Sequence, residues 1–541
     1  MLGLMQDWPL LIHRLIDHAA VQHPRRAVVS RSVEGPIHRT DYATLRTRAL
    51  QLAKRLAMEG VGQGDRVATL AWNTWRHVEA WYAISGIGAI YHTVNPRLFP
   101  EQIGWILNHA ESRLVLVDLT FVPLLEKLAP LLGHVQRFVV LTDAVNMPET
   151  TLRRAVPYET WLAEADADYA WHAVDERTAA GLCYTSGTTG DPKGVLYSHR
   201  SNVLHAMTMN AADMFALTAR DVVMPVVPMF HANSWILPFA APMAGAALVL
   251  PGAKLDGASV HELLESEGVT FSAAVPTIWM MLLQHLRATD GRLSTMKSVA
   301  IGGSACPPAL IDAYQREYGV RVLHAWGMTE CSPVGTLCYA KPEVAHLEGQ
   351  ALLDLQSRQG PPPFGVELKI TDDAGTRLPW DGEVFGRLMV KGPSITAAYF
   401  NVDPVGVLDA EGFFDTGDVA TIDANGYMQI TDRSKDVIKS GGEWISSIAI
   451  ENLAVGHPDV AEAAVVAIPH PKWDERPLLL VVAKPGTAPT KASVLDYLSD
   501  KIAKFWMPDD VLVVDSLPHT ATGKLLKTKI REMVKDHQVG K

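Results

Sequence analysis

Tyr184-Thr185-Ser186-Gly187-Thr188-Thr189-Gly190-Asp191-Pro192-Lys193-Gly194 follows an apolar segment, residues 180–183, that reads as a short buried strand. Hydroxyls, glycines and one lysine at this density make a loop whose backbone N–H groups, side-chain donors and positive charge can all face one anion. A polyphosphate is the natural guest. The spacing departs from the common Gly-x4-Gly-Lys phosphate loop, because Lys193 follows Pro192 and precedes Gly194. It therefore reads as a nucleotide loop of another kind, to be placed by the rest of the chain.

Around this loop, helical and strand patterns alternate. Leu45, Ala49, Leu52 and Leu56 recur at helical spacing and Gly60 stops that helix. Residues 66–72, 113–117, 138–142, 298–301 and 320–325 read as short apolar strands separated by helical stretches. This order predicts an α/β fold with parallel sheets, whose ligands sit at the carboxyl ends of strands. The loops after Cys183, Ile301 and Ala325 are the expected shared site. Beyond Gly360, residues 366–371, 386–390 and 427–431 read as antiparallel strands of a β-barrel-like subdomain. After Asp432-Arg433-Ser434-Lys435 come strands 463–468 and 478–483 and a helix over 494–505, a small α+β domain. The expected division is 1–432 and 433–541.

The 541 residues exceed what one core supports, and the composition, 48% apolar and 20% charged, is that of a globular enzyme. A net charge of −11 disfavours nucleic acid as partner. Cys183, Cys306, Cys331 and Cys338 are too few and too irregularly spaced for a disulfide framework or zinc site, which fits a reducing cytoplasm. The first twenty residues lack a signal-peptide pattern. Residues 222–253 contain no Lys, Arg, Asp or Glu, but five prolines, His231 and Asn233 interrupt them. A buried lining or apolar pocket is expected there, not a membrane span.

Later segments match what an ATP site needs. In Trp326-Gly327-Met328-Thr329-Glu330, Trp326 can stack on a purine, Thr329 can donate to a phosphate, and Glu330 can hold Mg²⁺. Taken alone, the segment reads equally as a core tryptophan beside a solvated glutamate. Asp415-Thr416-Gly417-Asp418 offers a carboxylate to ribose hydroxyls, although by itself it reads first as a plain turn. Asp432-Arg433 offers a second ribose contact. Thr522-Gly523-Lys524 exposes an ammonium on a glycine turn, able to swing toward a phosphate; alone it reads as one more solvated lysine.

Together, residues 185–194, 228–235, 301–307, 326–330, 415–418, 432–443 and 523–524 resemble the adenylate-forming superfamily of acyl-CoA synthetases, luciferases and peptide-synthetase adenylation domains. The likeness covers nearly the whole chain in order. It implies a two-step reaction in which a carboxylate attacks the α-phosphate of Mg-ATP and a thiol then displaces AMP. It assigns Thr185, Ser186, Gly187, Thr188, Thr189 and Lys193 to pyrophosphate. It extends the nucleotide site over Gly302, Gly303, Ser304, Ala325, Trp326, Gly327, Met328 and Thr329, with Asp418 and Arg433 on the ribose. Thr185 and Glu330 would hold the metal. Trp326 stands where the family more often has tyrosine. Lys524 would bridge the two anions that must meet. Lys435 marks a hinge about which the C-terminal domain turns, replacing Lys524 by Lys439, Ser440, Gly441, Gly442, Glu443 and Trp444 for the thiol step.

The acyl pocket implied by the resemblance contains His231, Trp235, Gly302 and Pro333, with Trp235 as gate and His231 counted with the catalytic residues. No charge near Trp235 would hold an amino-acid ammonium. Coenzyme A is the expected acceptor, since only 17 residues follow Lys524 and no carrier segment appears. The motifs are similar to those of bacterial medium-chain acyl-CoA synthetases and nearly as similar to 3-methylmercaptopropionate–CoA ligases. A medium-chain fatty acid ranks first and the sulfur acid second, because one or two methylenes discriminate by only ~1–3 kcal/mol. A homodimer is implied by the same likeness. A non-catalytic acyl-nucleotide sensor would not need Lys193, Glu330, Asp418, Arg433, Lys439 and Lys524 together. A luciferase-like oxygenase is weakly opposed by Val539-Gly540-Lys541, which is not a peroxisomal signal.

Overall fold

The computed structural model describes residues 1, 3–185, 191–433, 435–440, 443–519, 525–535 and 537. Apolar runs too short for helices became central strands of two large sheets. The seven-stranded sheet runs Val156–Pro157, Arg137–Val140, Leu114–Val117, Arg66–Leu70, Ile90–Thr93, Ala179–Tyr184, Gly194–Ser198. Its neighbours are parallel except the last pair, in which the chain returns after the glycine-rich loop and Tyr184 lies opposite Gly194. The eight-stranded sheet runs Val334–Leu337, Arg321–Gly327, Ser298–Ile301, Phe271–Ala274, Val222–Pro225, Ala247–Leu250, Ala27–Arg31, Ile37–Asp41. It is parallel inside and antiparallel at both edges.

Helix Tyr42–Met58 starts where the Asp41 carboxylate accepts from Thr44 N–H at 2.8 Å, and it buries the expected Leu45, Ala49, Leu52 and Leu56. Helix Trp75–Gly86 is buried along every residue. Its Arg76 and Glu79 are therefore paired: Arg48 donates to Glu79 at 2.5 Å, Tyr158 OH to Glu79 at 2.8 Å, and Arg76 to Glu34 and Glu159 at 2.7 Å each. The charge-free stretch 222–253 forms the strand Val222–Pro225, the helix Leu237–Ala244 and the strand Ala247–Leu250, all packed inside. Among the described residues no helix is long and apolar enough to cross a membrane.

The antiparallel strands expected beyond Gly360 form a four-stranded meander, Glu367–Thr371, Gly386–Lys391, Phe414–Ile422, Met428–Arg433. The separate C-terminal domain has a five-stranded sheet. Glu443–Ile445, Ile438–Ser440, Asp474–Ala483 and Val460–His470 are antiparallel, and Asp510–Val513 lies parallel beside Asp474–Ala483. Alternation along Val460–His470 sends Ala463 and Val465 into one core with helix Ser447–Val455, and Ala464 and Val466 into another with helix Lys527–Met533. The helix expected over 494–505 is instead Lys491–Ser499. Thr490 caps its start, and Lys501 Nζ folds back on Tyr497 O at 2.7 Å, closing its end before the separate turn Lys504–Trp506.

Candidate active site

The strand expected over 320–325 continues to Gly327, because it gains an antiparallel partner in Val334–Leu337. Trp326 is thereby fixed on a strand opposite Thr336, 7% exposed, with its ring in the meander's core. A Cβ on Gly335 would lie 2.4 Å from Trp326 Cζ3, so only glycine leaves room for the ring. The indole Nε1–H donates to Asp418 Oδ2 at 2.8 Å. Arg433, directly across the ladder from Asp418, places Nε 2.8 Å from Oδ1. Both oxygens of this buried carboxylate are thus oriented by named donors, and the half-exposed guanidinium marks the open side.

Glu330, 7% exposed, sits in the short turn after that strand. Tyr399 OH donates to its Oε1 at 2.8 Å, and Thr396 N–H to its backbone oxygen at 2.8 Å. Burial raises the Glu330 pKa against that hydrogen bond and the nearby Arg433. No lysine or arginine forms an ion pair with it among the described residues. A buried carboxylate in that state is chemically suited to a bound hard cation. Lys193 Nζ lies 4.9 Å from the Tyr399 ring centroid, Phe400 N–H donates to Gly194 O at 2.8 Å, and Thr185 N–H to Lys193 O at 2.9 Å. The two flanks Thr185 and Lys193 are therefore joined to each other, and Lys193 stands beside the tyrosine that holds Glu330. Ser186, Gly187, Thr188 and Thr189 lie outside the described residues.

The acyl side is built on an unusual backbone. Ala232, Asn233, Ser234, Trp235 and Ile236 have φ of 46°, 50°, 50°, 50° and 65°, a left-handed turn made without glycine. Each such residue costs ~1–2 kcal/mol, so its surroundings must hold it. Asn73, at the carboxyl end of Arg66–Leu70, donates to Pro225 O at 2.8 Å and Val227 O at 2.9 Å, and accepts from Met229 N–H at 2.7 Å. Ser234 Oγ donates to the same Val227 O at 2.6 Å. The turn presents half-buried His231 and puts Trp235 against Gly302, where a Cβ would meet Trp235 Cη2 at 3.1 Å and Ala325 O at 2.7 Å. Gly303 has φ +83° and Ser304 is exposed beside it. Met328 N–H donates to Pro333 O at 2.9 Å, and a Cβ on Gly327 would lie 2.0 Å from that oxygen. Tyr197 OH holds Thr329 O at 2.8 Å.

Sequence reasoning missed Tyr399, Tyr197, Asn73 and His205. Burial lowers His205 to about 3, so a neutral ring can accept from Val334 N–H at 3.3 Å. None of the four belongs to a motif. Only Asn73 carried a signal, being polar just past an apolar strand.

The C-terminal candidates gather elsewhere. Lys435 and Lys439 line a cleft of about 430 Å³ with Asp474, Glu475 and Arg531, and Lys439 Nζ is 3.8 Å from Asp373 of the meander. Ser440 Oγ accepts from Arg476 at 3.3 Å. Strand Glu443–Ile445 pairs Glu443 with Ser440 and Trp444 with Lys439; the Glu443 and Trp444 side chains, with Gly441, Gly442 and Lys524, lie outside the described residues. At the joint, Lys527 Nζ reaches Glu451 Oε1 at 2.8 Å, and Ser447 N–H donates to Asp432 Oδ2 at 2.6 Å. Burial works against the Lys527 charge, but Glu451 and Asp432 outweigh it and raise its pKa.

Residues 16–400 match the AMP-binding enzyme family and 449–524 match the AMP-binding enzyme C-terminal domain. The chain belongs to the AMP-binding enzyme family, within the adenylate-forming acyl-CoA synthetase superfamily. It is 49% identical to 3-methylmercaptopropionyl-CoA ligase of Ruegeria pomeroyi over 540 residues, covering 100% of both chains. It is 47% identical to the medium-chain-fatty-acid–CoA ligase of Ectopseudomonas oleovorans over 539 residues, covering 99% of this chain and 98% of the other. The crystal structure of the anthranilate CoA ligase AuaEII in complex with anthranoyl-AMP superposes with TM-score 0.86 at 25% identity, covering 98% of this chain and 99% of that one.

Proposed function

We propose that the chain is an AMP-forming acid–CoA ligase. A carboxylate oxygen attacks the α-phosphorus of ATP, expelling pyrophosphate; the thiol sulfur of coenzyme A then attacks the acyl carbonyl, and AMP leaves with the cleaved C–O electron pair. The observation that carries this reading is the convergence of two carboxylate clusters, Asp418 held by Trp326 and Arg433, and Glu330 held by Tyr399 with Lys193 beside it.

Asp418 and Arg433 take the ribose, and Trp326 walls the adenine side while holding Asp418. Thr185, Lys193 and residues 186–189 take the pyrophosphate. Glu330 with Thr185 would hold Mg²⁺, which screens phosphate charge when bound. Tyr399 keeps the Glu330 carboxylate aimed. His231, Trp235, Gly302 and Pro333 line the acyl side. Lys524 neutralises the approach of acid to phosphate. Residues 1–432 and 433–541 act as two bodies hinged at Lys435, and Lys439, Ser440, Gly441, Gly442, Glu443 and Trp444 serve the thiol step.

The acid is a short- or medium-chain fatty acid. A second reading, 3-(methylthio)propionate, is supported by the 49% identity to a ligase of that name, against 47% for the medium-chain enzyme. The four buried free cysteines suit a reducing cytoplasm. Homodimerisation is carried over from the family likeness, and sedimentation would test it. The deciding experiment is AMP release over a panel of straight-chain acids and 3-(methylthio)propionate, with and without CoA. AMP release that ignores CoA would defeat the ligase reading.

A further inference from the structure

One imidazole, outside every motif, touches both sides of the glycine-rich segment. Helix Pro100–His109 joins the strands Ile90–Thr93 and Leu114–Val117. Trp105 and His109, four positions apart, share one face of it, and their rings stack with centroids 4.5 Å apart at 13°. On its other contacts, His109 Nδ1 lies 2.7 Å from Tyr184 OH, and the ring meets that of Phe400 edge-on at 5.6 Å and 86°. Tyr184 ends the strand from which Thr185 leaves. Phe400 N–H donates to the oxygen of Gly194, the residue after Lys193, at 2.8 Å.

The direction of the hydrogen bond follows from burial. Tyr184 is buried, which pushes its phenol above the ordinary range, while desolvation lowers His109 against the nearby Asp191 carboxylate. The phenol therefore donates, and the neutral ring accepts at Nδ1 with its hydrogen on Nε2. Among the described residues His109 is the one hydrogen-bond partner of that hydroxyl. The packing leaves little slack: Gly194 lies opposite Tyr184, and a Cβ on it would stand 3.2 Å from Tyr184 Cζ and 3.1 Å from Phe400 Cβ. Thr185 N–H donates to Lys193 O at 2.9 Å. A shift of Tyr184 thus passes to Thr185 through one peptide and to Lys193 through one hydrogen bond.

We propose that His109 is a positioning residue for the adenylation step: by accepting from Tyr184 and packing against Phe400, it fixes Thr185 and Lys193 where they take the pyrophosphate part of ATP. The inference rests on the acid–CoA ligase reading and assigns no contact between His109 and the nucleotide. Packing alone would need a ring at this place, not a ring nitrogen aimed at the phenol. Without that acceptor the buried hydroxyl is left unpaired, and the strand end must move to satisfy it. Groups that hold a phosphate lose effectiveness when displaced by even a fraction of their hydrogen-bond length.

The test uses the full-length enzyme, with H109F, H109N, Y184F and the double variant H109F/Y184F, in acid-dependent ATP–pyrophosphate exchange. Phenylalanine keeps a ring for Trp105 and Phe400 but offers no acceptor; asparagine keeps an acceptor near the place of Nδ1 but no ring. The expected result for H109F is a rise in KM for ATP and for pyrophosphate of about ten-fold, with KM for the acid within about two-fold of wild type. H109N recovers part of that loss. Y184F is impaired in the same two constants, and the double variant is no worse than H109F, because both substitutions break one bond. Losses that multiply in the double variant, a KM for the acid rising in step with that for ATP, or no recovery in H109N would overturn the assignment. So would a lower melting temperature in H109F with both nucleotide-side constants unchanged, which is the signature of packing alone. If Y184F fails to fold, H109F against H109N decides by the same constants; if H109F fails, H109N against Y184F does. A wild-type enzyme without acid-dependent exchange would strike the underlying reading instead.

Discussion

Asn73→Ala tests whether the strained turn bearing His231 and Trp235 is held from outside itself. Asn73 is 3% exposed and makes three hydrogen bonds, to Pro225 O, Val227 O and Met229 N–H. At about 1 kcal/mol net for each, the clamp is worth ~3 kcal/mol, before counting buried groups left unpaired. It opposes about 5–10 kcal/mol of left-handed conformational cost spread over residues 232–236. Removing it should let the turn relax locally while the sheets on either side persist. The readout is acid-dependent ATP–pyrophosphate exchange, with circular dichroism to confirm folding. At ~1.4 kcal/mol per factor of ten, kcat/KM for the acid should fall by about 100-fold. KM for ATP should move by less than about three-fold, because Asp418 and Glu330 are held by other partners. A folded variant with unchanged kcat/KM for the acid, or one whose KM for ATP rises in step, would refute the reasoning.

Asp418→Asn should leave the acid site intact but raise KM for ATP by about 10–100-fold, since hydrogen bonds to a charged group are worth ~1.5–3 kcal/mol; substrate-titrated exchange rates check this. Burial raises the Glu330 pKa, so the folded protein binds this proton more tightly than the unfolded chain. Its contribution to stability therefore grows as pH falls through the folded pKa toward the unfolded value, while metal-dependent exchange declines over the same window. Glu330→Gln should accordingly raise the melting temperature of the ligand-free protein at pH 8 and abolish exchange, measured by scanning calorimetry and pyrophosphate release. Lys527→Met strands the buried Glu451 and Asp432 carboxylates and should destabilise the C-terminal domain by ~3–5 kcal/mol, followed by urea titration of the domain's tryptophans. Lys524→Ala should slow adenylation by orders of magnitude yet largely spare thioester formation from supplied acyl-adenylate; equal loss in both half-reactions in single-turnover assays would sink that division of labour.

The chain's order of apolar runs and glycine-rich loops was enough to read parallel α/β sheets, a later antiparallel, barrel-like part and a small terminal domain. The reason is local: strand length, alternation and turn chemistry are properties of neighbouring residues. The same holds for Lys193, Glu330, Asp418 and Arg433, which sit in dense motifs. What the residues could not disclose is who faces whom. Tyr399 meets Glu330 across 69 positions and Asn73 clamps Met229 across 156, and no periodicity in one dimension encodes such pairs. Trp326 was open to a stacking or a core reading, and its placement followed from an unforeseen strand, Val334–Leu337, that drew it into the meander. The left-handed turn at 232–236 is likewise invisible in a sequence without glycine, because its conformation is imposed by packing and by Asn73 rather than by its own preferences. Identity of the chemistry was written in short motifs; its geometry arose only when the two sheets brought distant side chains within hydrogen-bonding range.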